Sequence, residues 1–181
     1  MGKTKPKGGI KKLSVGFLNI TGCAGCLLSF IFNEDEILDL ISVVNIKAFP
    51  FVKEVNAKEG FDYVFLEGLV ANRKDLEMLQ EIRKNTTYLI ALGACADTGC
   101  VPAYRGYTLK ENYEHLMHRK ENNLKTIDAT PLEVHVKVDY VIPGCPPNKR
   151  EIIKFIKSIV NGQEPKTYMD PVCVECRKNK N

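Results

Sequence analysis

Short apolar runs alternate with longer amphipathic stretches along nearly all of this 181-residue chain, and that alternation restricts its fold more than any other feature. The runs cover residues 13–20, 42–48, 63–66, 88–92 and 140–142. They are mostly apolar, as expected of strands covered on both faces. The stretches between them carry apolar residues at helical spacing. Residues 27–40 have them at 27, 28, 30, 31, 37, 38 and 40, and residues 149–160 at 152, 153, 155, 156, 159 and 160. A further helix is predicted over residues 73–84, with Asn72 as its cap, and Gly162 marks the stop of the last one. Strand and helix in alternation predict a doubly wound, flavodoxin-like α/β domain with a mainly parallel five-stranded sheet. The expected strand order is 2-1-3-4-5, with right-handed crossovers. Residues 102–130 are the least regular, with a helix expected over 109–120 and polar loop after it.

Charge divides the chain into a basic tail and a neutral body. The formal charge is +4, from 26 basic and 22 acidic residues, but Lys3, Lys5, Lys7, Lys11 and Lys12 fall in the first twelve residues, where there is no acid. Without those five the balance is 21 to 22, so residues 1–12 read as a flexible basic tail and not as a nucleic-acid site. Residues 13–164 form the expected domain. Residues 165–181, with Pro165, Pro171 and a basic end, read as a surface segment. The start has no apolar stretch of the kind a secretory signal needs, and no run is long enough to span a bilayer. These readings predict a cytoplasmic protein without membrane insertion. In a reducing compartment seven cysteines read as metal ligands or redox thiols, and the odd count suits a disulfide framework poorly.

The cysteines fall at telling places on the strand map. Cys23 and Cys26 follow the first strand as T-G-C-A-G-C, Cys95 follows the fourth as L-G-A-C, and Cys145 follows the fifth as P-G-C-P-P. Carboxyl ends of parallel strands converge on one edge of an open sheet, where ligands bind. Four thiolates on loops suit a cubane [4Fe–4S] cluster or a tetrahedral zinc ion. Structural zinc sites usually pair C-x-x-C with a second C-x-x-C; here one close pair is joined by two distant singletons, which favours the cluster. Gly22, Gly25, Gly93 and Gly144 leave backbone free to approach an inorganic core. The alternative is that these are buried apolar cysteines of an α/β core.

The motifs G-C-A-G-C-L-L-S (22–29), E-G (67–68), G-A-C-A-D-T-G-C-V-P (93–102) and P-G-C-P-P (143–147) together resemble the small subunit of [NiFe] hydrogenases over about residues 13–176. The resemblance is closest to the cytoplasmic, bidirectional branch. The related 20 kDa cluster subunit of complex I usually has two adjacent cysteines at the first motif, and this chain does not. What the resemblance implies is a proximal [4Fe–4S] cluster held by Cys23, Cys26, Cys95 and Cys145. A nickel-iron centre would then lie in a hydrogenase large subunit, and electrons would pass on to an acceptor through further electron-transfer subunits. Glu67, at the same edge, is then a hydrogen-bond acceptor beside the cluster, part of a proton exit, or a solvated loop carboxylate.

Two departures from the family pattern stand out. Cys100 replaces the second glycine of the fourth-strand motif, at a position where oxygen-tolerant relatives carry one of two extra cysteines; the companion position here is Gly25, as in ordinary enzymes. Cys100 is therefore a bystander beside the cluster, an alternative ligand or a reactive thiol. Cys173 and Cys176 form a C-x-x-C five residues from the end, a pair too small to hold a cubane alone. It is vestigial, a redox dithiol, or a half-site completed by another subunit. The fold and the resemblance also raise an FMN beside the cluster, but Thr21-Gly22 makes a poor phosphate cradle because cysteines occupy that loop. Two other classes of reading remain: a complex I-like quinone or ferredoxin oxidoreductase subunit, and a zinc-binding interaction protein. His115 and His118 share a face of the helix expected over 109–120, and His135 sits in a strand-like V-H-V-K-V.

Overall fold

The computed structural model of the protein describes residues 12–32, 40, 42–103, 126–167 and 177. The element order is β1 (Ser14–Asn19), α1 (Gly25–Ile31), β2 (Asn45–Ala48), β3 (Phe61–Glu67), β4 (Val70–Asn72), α2 (Arg73–Lys84), β5 (Thr86–Leu92), α3 (Ala94–Thr98), α4 (Cys100–Ala103), β6 (Thr126–Thr130), a 3-10 turn (Leu132–Val134), β7 (Tyr140–Ile142) and α5 (Lys149–Val160). Five strands form one sheet in the order β2-β1-β3-β5-β7, and every pairing in it is parallel. Counted along the sheet's own strands, that is the expected 2-1-3-4-5. Most of the basic tail, the helix expected over 109–120 with His115 and His118, and the pair Cys173 and Cys176 lie outside the described residues.

The two-residue period of each strand sorts the side chains onto two faces. Val15, Phe17, Tyr63, Phe65, Ile90, Leu92 and Ile142 face α1 and α5, and meet Leu27, Phe30, Ile152, Phe155 and Ile156 there. Leu18, Val64, Leu66, Leu89 and Ala91 belong to the opposite core, with Leu79 and Ile82 of α2 and Leu132 of the 3-10 turn. The first core is tied by aromatic packing: the Phe17 ring stacks on Phe30 at 4.5 Å and on Phe65 at 4.9 Å, and Phe65 meets the edge of Phe155 at 5.6 Å. Each such pair adds about 1 kcal/mol beyond burial. α2 runs as expected: the Asn72 side chain accepts the Asp75 N–H, and Arg83 and Lys84 complement the dipole at the far end. α5 is likewise capped by Asn148 and stops before Gly162.

Three expectations need correction. The second strand begins at Asn45 and not at residue 42, because the Val44 N–H still bonds the Leu40 carbonyl in a helical turn. Residues 126–130, expected as polar loop, pair antiparallel with β4 as a separate two-stranded sheet. The strand-like alternation around His135 forms no strand. His135 ends the 3-10 turn and hydrogen-bonds Thr130 (2.7 Å), while Val136 and Val138 pack irregularly against the second core.

Edge strand β7 is secured at its start by one carboxylate. Asp139 accepts from the Leu89 N–H (2.9 Å), Arg83 (2.9 Å) and Lys137 (3.0 Å). Burial alone would raise this group, but the Leu89 N–H and the Lys137 and Arg83 cations outweigh it and hold its pKa below the usual carboxylate value. A lowered native pKa contributes stability that is present above the unfolded value, about 3.9, and is lost as pH falls through the native one. D139N is therefore expected to lower stability by about 2 kcal/mol at neutral pH. Denaturant titration should show the gap to the wild type closing below about pH 4.

Candidate metal centre

The loops leaving β1, β3, β5 and β7 meet at the carboxyl edge of the sheet and are laced to one another. The first two are joined by the Ile20 N–H to the Glu67 carbonyl (3.0 Å) and the Leu69 N–H to the Thr21 carbonyl (2.9 Å). The last two are joined by the Gly93 N–H to the Ile142 carbonyl and the Ala94 N–H to the Gly144 carbonyl, both at 2.8 Å. Across the edge, the Ser29 hydroxyl of α1 donates to the Pro147 carbonyl (3.3 Å). The loops therefore hold their cysteines in fixed relation, whatever the cysteines bind.

Cys23, Cys26, Cys95 and Cys145 all lie at this edge, and Cys100 joins them. Cys26 is buried at the start of α1, Cys23 and Cys145 are exposed, and Cys95 and Cys100 are half-buried. Burial pushes the Cys26 thiol far above its ordinary pKa, and negative charge on Glu67, Cys23, Cys95 and Cys145 pushes it the same way. Burial and then Cys100 push Cys95 up to about 11. Cys145 is raised mainly by Cys100, which also hydrogen-bonds it. These dependences tie Cys26 to Cys23, Cys95 and Cys145, and Cys100 to Cys95 and Cys145, thiols whose protons a metal core would displace on binding. Among the described residues, no three His, Cys, Asp or Glu side chains are close enough together to hold a single metal ion.

The backbone is shaped to this crowding. Gly93 has φ +85°, and a Cβ there would overlap the Cys26 sulfur. Cys100 has φ +47°, a left-handed conformation that costs a non-glycine residue about 1 kcal/mol, at the position where the family motif has glycine. The Gly25 N–H points to the Cys23 sulfur at 3.4 Å. The donor set, the close approach at Gly93 and the sulfur-directed N–H fit an iron-sulfur core.

Sequence reasoning missed Asp75. This buried residue accepts from the Thr21 hydroxyl (2.8 Å), the Ala71 N–H (3.0 Å) and the Asn72 amide (2.8 Å), and so anchors the loop carrying Cys23 and Cys26 to the start of α2. Asn72 was readable as a helix cap, but the bond from Asp75 to a residue 54 positions away was not. Glu67, singled out in the sequence, is 1 % exposed, which removes the solvated-loop alternative.

Fold and site define a doubly wound α/β domain whose sheet edge gathers thiols from loops far apart in the chain. Comparison with known proteins gives that class its family. Residues 23–159 match the family described as NADH ubiquinone oxidoreductase, 20 kDa subunit, and the chain belongs to it. Its relatives include the sulfhydrogenase 2 subunit delta of Pyrococcus furiosus, 34% identical over 92% of this chain and 70% of that one. The NAD-reducing hydrogenase HoxS subunit delta of Cupriavidus necator is 30% identical over 84% of this chain and 80% of that one. Among solved structures, a chain of an NAD+-reducing [NiFe]-hydrogenase in the H2-reduced state superposes with a TM-score of 0.77 at 26% identity, covering 88% of this chain and 97% of that one. The resemblance to hydrogenase small subunits and the expected fold are both borne out. No helix among the described residues is long and apolar enough to cross a membrane.

G93A tests the packing at the edge. The added methyl group meets both a left-handed backbone and the Cys26 sulfur, so a loss of about 2 kcal/mol or more is expected in denaturant titration. The same change at the open Gly162, also at positive φ, should cost only the backbone part.

Proposed function

We propose that this chain is the small electron-transfer subunit of a [NiFe] hydrogenase and that Cys23, Cys26, Cys95 and Cys145 ligate one proximal [4Fe–4S] cluster. When bound, such a cluster supplies one-electron storage and transfer. The observation that carries the reading is the convergence of these four thiols, from three separated loops, on one laced edge in a chain whose relatives are hydrogenase subunits.

The chain's own residues have distinct tasks. Cys26, buried at the start of α1, anchors the inner side of the site, while Cys23 and Cys145 close it at the surface. Asp75 and Thr21 hold the first ligand loop, and the Gly25 N–H stabilises charge on the Cys23 sulfur. The exposed rim, with Leu28 and Val101 beside the thiols, is where a large subunit carrying the nickel-iron centre docks. Electrons then pass between that centre and an acceptor reached through further subunits, in the cytoplasm. Cys100 stands beside the ligands as a bystander. The domain spans residues 13–164, and the C-x-x-C of Cys173 and Cys176 meets a neighbouring subunit.

Anaerobic purification with metal and sulfide counts tests the ligand set. About four iron and four sulfide per chain are expected, with nickel only when a larger partner co-purifies. C145S should lose or damage the cluster and abolish dihydrogen-dependent reduction of an artificial dye. C100G should retain the iron of the wild type and relieve the left-handed strain. Stoichiometric zinc without iron would refute the reading.

A further inference from the structure

The thiols of the edge are not held equally by the chain. Cys26 lies in α1 and Cys95 in α3, and the Gly144 carbonyl beside Cys145 accepts the Ala94 N–H at 2.8 Å. Cys23 instead sits on a strap, Gly22-Cys23-Ala24, between β1 and α1. Among the described residues neither Gly22 nor Cys23 makes a backbone-to-backbone hydrogen bond, and Ala24 only accepts the Leu28 N–H that opens α1. Gly22 and Cys23 are exposed, and Ala24 has φ +63°, which turns the strap out of line with the helix it leads into.

The front of this strap is tethered by one residue. The Thr21 carbonyl accepts the Leu69 N–H at 2.9 Å, and the Thr21 hydroxyl donates to Asp75 Oδ2 at 2.8 Å. Asp75 is 8 % exposed and already accepts the Ala71 N–H (3.0 Å) and the Asn72 amide (2.8 Å), while its own N–H is taken by the Asn72 cap (3.0 Å). The start of α2 is therefore complete without Thr21. Thr21 itself is exposed, so its hydroxyl, fixed to a buried acceptor, serves the loop and not the helix. Next to it Gly22 closes tightly on the β3 loop: a Cβ there would stand 3.2 Å from the Gly68 Cα.

We infer that Thr21 is a positioning residue whose hydroxyl bond to Asp75 latches the Cys23 strap closed over the thiol edge and sets how long a bound centre is retained. Lifting the front of the strap breaks only the two Thr21 bonds, whereas freeing Cys26 or Cys95 unwinds a helix and freeing Cys145 breaks the lacing to Ala94. The identity of the centre rests on the iron-sulfur reading above; the latch itself does not.

Two rates test it in wild type, T21V and T21S: loss of iron from the anaerobic hydrogenase complex to a ferrous chelator, and amide hydrogen exchange at Leu69, whose acceptor is the Thr21 carbonyl, in the full chain. T21V keeps the shape and removes the donor. It should start with the iron content and reduction potential of the wild type, and both rates should rise about tenfold, the effect of one lost hydrogen bond. T21S keeps the hydroxyl and should match the wild type. D139N weakens the sheet at its amino edge and should leave both rates unchanged. Wild-type rates in T21V, an equal rise in T21S, or as large a rise in D139N would each overturn the inference, since the first two deny the hydroxyl its role and the third makes retention a matter of overall stability. A wild-type complex without iron at this edge would instead overturn the proposed function, while exchange at Leu69 would still decide the latch.

Discussion

The parallel register of β1, β3 and β5 is the constraint on which everything else rests. Five consecutive residue pairs join β1 to β3, from Val15 with Tyr63 to Asn19 with Glu67, and the same rows continue into β5 as Tyr63 with Tyr88 and Glu67 with Leu92. Parallel strands in step must end in step. Their carboxyl ends, and the loops that leave them, are delivered to one line without any ligand to draw them together. A shift of one residue in β3 would turn Phe65 away from the Phe17 ring and carry Glu67 to the α2 face. The aromatic packing between β1, β3 and α1 thus enforces the core and the chemistry of the edge at once.

How much of this could be read from the sequence depended on how local the cause was. α2 and α5 were legible because their caps, Asn72 and Asn148, and their apolar spacing lie within the helices themselves. The sheet order followed from strands too apolar to have a wet face. The pairing of β4 with β6 was not legible: β4 has three residues, and β6, T-I-D-A-T, is too polar to stand apart from a loop. Helical hydrogen bonding at Val44 overrode the β preference of Val43 and Val44, and the alternation around His135 reported burial of Val136 and Val138 without any strand partner.

The edge was legible in its thiols and illegible in its supports. Cysteine after glycine at the end of an apolar run is a signal that survives in one dimension. Asp75 bonding Thr21, Ser29 bonding Pro147 and Glu67 bonding Leu27 are pairings between residues 40 to 118 positions apart, and even Glu67, which stood out in the sequence, did not disclose its partner there. Cys100 is the intermediate case. Its presence is plain in the sequence, but its left-handed backbone and its contact with Cys145 come from the short helices α3 and α4 and the turn at Gly99 between them.

The bonds from Gly93 and Ala94 to the loop after β7 carry a consequence for how the chain is made. The edge strand that brings Cys145 into place is the last of the sheet in chain order, and it docks on β5 through only three residue pairs. During synthesis the first thiols emerge more than a hundred residues before their last companion, so the N-terminal four strands can pack while the edge is still incomplete. Closure of the thiol edge is therefore a late, long-range event, slow on the scale of helix formation. Any centre that requires thiols from all three of these loops can be installed only in a chain that has already finished its sheet.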